Sequence, residues 1–590
     1  MKILIQITFL FFAIGNIFSQ TLNPARAVNW SIVGVNEEFI PSTNFIDFQL
    51  EGGIADGITT NDFVFSTILN NLGDTSAFIF FPNGIYLFTQ PLVLSDNISI
   101  CGESSDSTIL LFELSSANDL IIVAGSLLND TSAVLSDMIK DSIKIEVNDA
   151  SYFQTGDYVK IIEDDSQLIT SSWALNTSGQ INRIDSIENN IIYFSSPLRR
   201  NYQTNNNARI QKINMINNVG IENLKIERLD VTSQQTSNIQ LNYASNCRIK
   251  CIESFKCNFA HIEVSNSTNI EIIGSYFHHA FSYGGDGKAY GVLLQYTTGE
   301  CLVFNNIFKH LRHSMILQAG ANGNVFAYNY SINPYWSELW LPSNSAGDLV
   351  LHGNYPYANL LEGNIIQNIV IDDSHGINGE YNTFFRNRAE LYGIFMNFNP
   401  PSDNLNFIGN EITNNGLLYG NLTIFGSNHF LYGNNQTGSI SPAGTNNLPE
   451  FSLFLDSMPE YFLTNSAWPP IGTPNQINSH SIEAKDRYFN GEFTSCAENN
   501  IILNQTDINK KNRINIFPNP STGKFTVSGK NIQTIEIINI SGQSVYFNKP
   551  QEMNNISRLF HIDLSNKSKG VYYIKIQINN RIEIRKLILI

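Results

Sequence analysis

The sequence predicts an all-β chain whose main body is a right-handed parallel β-helix, a single-stranded solenoid, with an inserted small β subdomain and a C-terminal β-sandwich. Three observations predict it. Charged residues make up only 15% of the 590 residues, against roughly a quarter in an average domain. Asn, Ser, Thr and Gly fill the deficit, a composition of short strands and tight turns. A strand-and-turn pattern then recurs about every 23 residues beyond residue 220, the length of one solenoid coil, which must stack on its neighbours to bury its apolar face.

Residues 1–20, MKILIQITFLFFAIGNIFSQ, read as a signal peptide: one Lys, a short apolar run, then small and polar residues. No later stretch is apolar enough for a membrane helix, so none is expected in the mature chain. Residues 27–124 open the solenoid. VNWSIVGV (28–35) gives a strand, and IADGITTNDFVFSTILNNL (54–72) a helix capped by Thr60 or Asn61, with apolar Phe63, Phe65, Ile68, Leu69 and Leu72. FIFFPNGIYLF (78–88), PLVLSDNISICGES (91–104) and DSTILLF (106–112) follow as strands.

This order resembles the N-terminal segment of the pectate lyase superfamily. The matching motifs are D-G-x-T-x-D before a capping helix, then F-P-x-G-x-Y, then G-E-x-x-x-S-T. Asp56, Gly57, Thr59, Pro82, Gly84, Tyr86, Gly102 and Glu103 occupy the matching places, while Asn61 replaces the first of the usual paired acids and leaves Asp62. The resemblance implies a β-helix start. It does not name a chemistry, because the family spans glycoside hydrolases, lyases and phage tailspikes.

Residues 125–213 break the pattern, and IKIEVNDASYFQTGDYVKII (143–162) with INRIDSIENNIIYFSSPL (181–198) read as an inserted β subdomain, either a lid or a spacer. Coils resume over 214–440. Aligning NLKIER, NCRIKC, NIEIIG, ECLVFN, NVFAYN, NLLEGN and NTFFRN places anchors at 228, 251, 274, 305, 329, 364, 387 and 410. A second strand precedes each anchor strand: NIQLN, HIEVS, GVLLQ, SMILQ and DLVLH. Asn at matched turns is expected to form side-chain ladders rather than ligand contacts. Two anchor spacings, 31 and 35, exceed the period and mark inserted loops at 278–291 and 333–348. Such loops usually build the binding face of a solenoid.

Residues 441–511 form a closing segment, expected to wrap the last coils, and a polar linker. In 512–590, RINIFPNPSTGKF, IEIINISGQSVY and LSNKSKGVYYIKI alternate strands with Pro-Asn-Pro, Ser-Gly and Lys-Gly turns, a β-sandwich. It resembles the C-terminal sorting domain of type IX secretion cargo, which implies that machinery as a partner and the cell surface or medium as destination.

A net charge of −17 argues against nucleic acid as a partner, and none is expected. Six cysteines without paired metal-ligand spacing are read as mostly buried free thiols. A monomer is expected. Seven of the ten histidines lie in or near the looped coils, where stacking brings similar offsets together. The catalytic candidates are Asp372, Asp373, His310, Arg312, His313, His375 and Glu390. The substrate-binding candidates are Trp336, Glu338, Trp340, His278, His279, Tyr283, Arg386 and Arg388. Exposed aromatic rings suit the C–H faces of sugars.

Hydrolysis needs two carboxylates, and IDDSHG (371–376) is similar to the paired-Asp and His-Gly motifs of polygalacturonase-type hydrolases, although the rest of that motif set is absent. Glu338, Glu362 or Glu390 would supply the second carboxylate if adjacent Asp372 and Asp373 point apart. A lyase would instead use a base and a cation from Arg312, Lys309, Arg386 or Arg388. Asp372 and Asp373 are the candidate ligands for Ca²⁺, the one cofactor considered. The expected function is secreted or cell-surface polysaccharide degradation, hydrolysis ahead of elimination. The alternative is a non-catalytic glycan-binding adhesin; a phage-tailspike-like depolymerase is disfavoured by the sorting domain.

Overall fold

The computed structural model describes residues 22–35, 42, 44–338, 341–397, 400–459 and 467–496 of a first unit. In a second unit it describes 515–517, 521, 523–530, 532–539, 543–549, 557–578 and 581–589. The predicted signal peptide and Trp340 lie outside the described residues.

The first unit is a parallel β-helix with three ladders per coil. The first ladder runs from Phe45–Asp47 to Phe430–Tyr432, and the second from Asp56–Thr60 to Asn434–Gln436. The third runs from Leu92–Val93 to Asn421–Thr423. Strands Ile365–Ile371 and Arg388–Met396 pass through the second and third ladders without a break. Inward positions supply one continuous apolar core that includes Ile226, Leu241, Phe277, Leu294, Phe308, Leu317, Phe326 and Ile369. The helix Asp62–Leu72 covers the first coils through Phe65 and Ile68, whereas Phe63, expected to be apolar-facing, is 82% exposed.

The register corrects the anchor alignment. Lys250, Ile273, Phe304, Ala327, Glu362, Phe385 and Ile408 stack in one column. The equivalent turn positions are therefore 251, 274, 305, 328, 363, 386 and 409, and Arg228 belongs to the second ladder, opposite Phe112. Asparagine caused the slip. Asn305 is the left-handed turn residue, φ 56°, and its successor Asn306 belongs to a buried ladder with Asn329, Asn364, Asn387, Asn410 and Asn434. Each amide donates to the next Asn Oδ1 at 2.9–3.1 Å, and that oxygen also accepts a backbone N–H. Asn364→Ala is expected to cost about 2–4 kcal/mol, because it orphans the buried amide and N–H of Asn329. Denaturant unfolding of the full chain would measure the loss.

Three additions cover the outer surface. The N-terminal arm lays Trp30 and Val33 on the first ladder, with the Trp30 indole donating to the Ala358 carbonyl at 2.8 Å. The closing segment does more than cap the last coils. It runs back along the flank through Leu448, Phe454 and helix Glu483–Asn490 to early coils, where Cys496 is bonded to Cys251 and Ser495 N–H donates to Gly274. The other four cysteines are buried thiols.

The third addition is the insertion, a six-stranded antiparallel sheet with its own core, including Val147, Val159, Ile184 and Ile210. It docks on the turns between third and first ladders through Arg199–Asn322 at 2.8 Å, Thr297–Thr177 at 2.6 Å and Tyr357–Gly179 at 2.8 Å.

The second unit is a β-sandwich of two antiparallel sheets, closed on Val527, Ile535, Ile574 and Leu587.

Candidate functional site

Between the insertion and the inserted loops, the outer face of the third ladder forms a groove. Its floor is set by strands Ala260–Ser265, Tyr290–Gln295, His313–Leu317 and Leu349–Leu351, and by the end of Ile365–Ile371. Because alternate residues point outward, Gln295, Gln318, His352, Asp372 and Asn397 form one polar column. Gln295 donates to Glu263 at 2.9 Å and Gln318 to Gln295 at 2.6 Å. His352 lies 3.6 Å from Asp372, to which Asn397 donates at 2.6 Å.

The insertion forms one wall. Thr170 Oγ1 donates to the His375 carbonyl, and the exposed ring of Trp173 sits edge-on to Tyr296, 6.0 Å away. The inserted loops form the other wall and are laced together: Ser337 N–H donates to Tyr283, and Gly285 N–H to the Glu338 carboxylate at 3.2 Å.

Where this wall meets the floor, Arg312 lies 5.3 Å from the Trp336 ring and 6.0 Å from that of Tyr290. Its Nη1 donates to Gly284 at 2.9 Å. Around it stand His313, 5.3 Å from Tyr290 by ring centroid and 5.7 Å from His352, and His375, stacked on His352 at 4.7 Å. Three buried atoms here have no partner among the described residues: Arg312 Nε, Trp336 Nε1 and His352 Nδ1. Buried polar atoms are normally satisfied, so these groups are short of hydrogen-bond partners in the structure as it stands.

Electrostatics separates these groups. Burial pulls His313 well below the usual imidazole range, helped by the Arg312 charge, and burial also pulls His352 down against the pull of Asp372. Both are neutral near pH 7. Burial pushes Asp372 up, but His352 and hydrogen bonds from Ser374 and Asn397 outweigh it, so the carboxylate stays ionised. Burial raises the Tyr290 phenol.

Arg312, His313, His375, Asp372 and Trp336 are thus brought together, with Glu338 in the wall. The expected single strip is otherwise split. His278, His279, His310 and Tyr283 lie beyond the loop ridge, above the second ladder, with Lys309, one choice for a lyase's cation, in register with His278; there His310 packs on Tyr283 and Tyr335 at 4.9 and 4.8 Å.

Five assignments are corrected. Asp373 is 1% exposed, its oxygens taken by Ser402 and Asn378 in a turn, so neither a carboxylate pair nor a Ca²⁺ site with Asp372 is available. Arg386 is buried, donating to the Ile471, Thr473 and Pro449 carbonyls. Arg388 is buried against Glu411 at 2.7 Å. Glu390 is paired with Lys485 beneath the closing helix. Glu362, one choice for the second carboxylate, is buried between Tyr328 and the Leu453 N–H.

Tyr290, Gln295, Gln318 and Trp173 were missed, as was a second carboxylate pair higher in the groove. There Ser237 N–H donates to Asp119 at 2.6 Å and Ser237 Oγ to Glu263 at 3.0 Å. Burial raises both acids, and the Asp119 charge raises Glu263 further. The glutamines were readable: NIQLN, HIEVS, GVLLQ, SMILQ and DLVLH end on this outward column.

Residues 515–590 match the secretion system C-terminal sorting domain. Over 168 residues the chain is 25% identical to a capsule K1-specific depolymerase of Klebsiella phage K64-1, a stretch covering 28% of this chain and 19% of that protein. The chain therefore spans about a fifth of that relative's length. Among solved structures it is similar to tailspike gp49 of Pseudomonas phage LKA1, at 14% identity and TM-score 0.49, covering 62% and 64% of the two chains. It is also similar to a GH87 α-1,3-glucanase of Streptomyces thermodiastaticus, at 11% identity and TM-score 0.34, covering 64% and 60%. Neither structural likeness carries information about chemistry. The chain is a right-handed parallel β-helix that carries, at residues 515–590, a secretion system C-terminal sorting domain.

Proposed function

We propose that this chain is an exported, monomeric enzyme that cleaves an anionic polysaccharide by β-elimination in the groove of the third ladder. Residues 1–20 act as the signal peptide and type IX secretion as the exporter. The observation that carries the reading is the cluster of Arg312, Trp336, His313, His352 and His375 beside an ionised Asp372, in which Arg312 Nε and His352 Nδ1 have no partner among the described residues. The phage depolymerase match supports a polysaccharide as substrate.

In this reading Arg312 holds a uronate carboxylate and offsets the charge that builds there. His352, oriented by Asp372, takes the proton from C5. The electron pair forms the C4–C5 double bond, the C4–O4 bond breaks, and the leaving oxygen collects a proton from the Tyr290 phenol. Neutral His352 is the base, so rate falls as pH drops through its pKa. Because burial depresses that pKa, the acidic limb of kcat/KM is expected below the ordinary imidazole value of roughly 6.5.

The test is incubation with polygalacturonate, alginate and a neutral glucan, following both ultraviolet absorbance of unsaturated uronate and reducing ends. Chromophore released from a polyuronate, and abolished in Arg312→Gln, is the expected result. The Asp119–Glu263 pair favours a second reading, hydrolysis. Reducing ends without chromophore, lost in Glu263→Gln, would select it. Binding with no product from any polymer would select the adhesin.

A further inference from the structure

Beyond the ridge formed by Tyr335 and Trp336 lies a surface that the groove does not use. The second ladder there exposes two neighbouring columns. Phe255, His278 and Lys309 stack in register in one, and Lys256, His279 and His310 stand one position further along in the other. All six are partly exposed. The chain as a whole carries 35 Lys and Arg against 52 Asp and Glu, so the two lysines of this surface, Lys256 and Lys309, run against the global sign, while burial holds its three imidazoles below their ordinary range, as neutral hydrogen-bonding groups.

The carboxylates beside this surface are already engaged, and none pairs with the two lysines. Glu253 is engaged by Lys225 at 3.0 Å and by His278 at 3.2 Å, and Glu227 lies 3.6 Å from Lys225. Among the described residues, neither Lys256 nor Lys309 has a carboxylate within ion-pair distance. Lys256 instead lies over Phe255 at 4.9 Å and Phe281 at 5.6 Å, and Lys309 over Tyr488 at 5.5 Å. Aromatic surface thus alternates with ammonium and imidazole groups over successive coils, each about 4.8 Å from the next.

That pattern suits a polymer with a repeating anionic group and apolar sugar faces. A globular acidic partner would call for isolated contacts rather than a track along the axis. The ridge residues face both ways: Tyr335 packs on His310, and Trp336 on Arg312.

We infer that the Lys256–His279–His310 and Phe255–His278–Lys309 columns form a second, non-catalytic binding track for an anionic polysaccharide. The inference shares with the proposed function only the charge of the polymer; it requires no cleavage.

The test is retardation of the full chain in native gels cast with heparin, with alginate or with dextran. The wild type is expected to be held back by both polyanions and not by dextran, with retention falling as salt rises. Lys256→Gln/Lys309→Gln should weaken polyanion retention by on the order of tenfold. The same variant should keep its rate on short oligosaccharides that reach only the pocket. Arg312→Gln should lose cleavage and keep its retention, which separates failure of the track from failure of the pocket. Wild-type retention in the double-lysine variant, equal retention by dextran, no retention of the wild type, or loss of retention in Arg312→Gln alone would each overturn the track.

Discussion

Replacing Arg312 by glutamine is expected to lower kcat/KM on the polyuronate substrate by roughly 10²- to 10³-fold, the usual effect of removing a donor aimed at developing charge. Most of the loss should fall on kcat. In the proposed elimination the negative charge facing Arg312 grows as the C5 proton leaves, so the guanidinium would bind the transition state better than the ground state. Folding should be little changed, since the side chain is only partly buried and makes one hydrogen bond, to Gly284. Arg312→Lys should recover part of the rate. It keeps the cation but loses the planar contact with Trp336 and the Nε donor. Initial rates over a range of substrate concentration decide the matter: a raised KM with unchanged kcat would reduce Arg312 to a substrate anchor.

The solenoid was legible because its physics repeats. A coil that cannot bury its own apolar face leaves the same alternation each time the chain returns, and the 23-residue step between buried asparagines is that return written in sequence. The exact register was not legible. In one coil Asn serves twice, as the left-handed turn residue at Asn305 and as the ladder amide at Asn306, and a pattern match cannot tell the two apart. The path of the closing segment was hidden for another reason. Leu448, Phe454 and Ile471 are irregularly spaced apolar residues, and nothing local to them says which flank they cover.

The site was legible where a residue type is rare on a solenoid surface, and obscure where a common type takes an uncommon role. Arg312, His313 and Asp372 stand out in an Asn- and Ser-rich repeat, and the inserted loops announced a binding face. Arg386, Arg388 and Glu390 have the same chemistry, but long-range partners more than 60 positions away claim them, and no repeat encodes those partners. Asp373 shows the finer limit. It follows Asp372 directly, yet the strand has ended at Ile371, so Asp372 faces the groove while Asp373 turns into the backbone of Asn378 and Ser402.

Arg388 and Glu411 carry the largest expected effect on stability. Both side chains are 1% exposed and 2.7 Å apart, on adjacent coils. Glu411 also accepts the Gly472 and Asn478 N–H groups at 2.9 and 3.1 Å, and Arg388 donates to the His480 carbonyl at 2.6 Å. The pair therefore pins residues 472–480 of the closing segment to the solenoid. Glu411→Leu should cost about 3–5 kcal/mol, since it strands a buried guanidinium. Arg388→Met should cost a similar amount by stranding the carboxylate, softened by the two N–H donors that remain. The double variant Arg388→Met/Glu411→Leu should be more stable than either single one, because removing both charges removes the desolvation penalty along with the attraction. Thermal unfolding of the four proteins measures the coupling, and limited proteolysis reports whether the closing segment lifts. If the single changes simply add in the double variant, the pair does not act as a unit, and the apolar contacts of Leu448, Phe454 and Ile471 alone hold the strap in place.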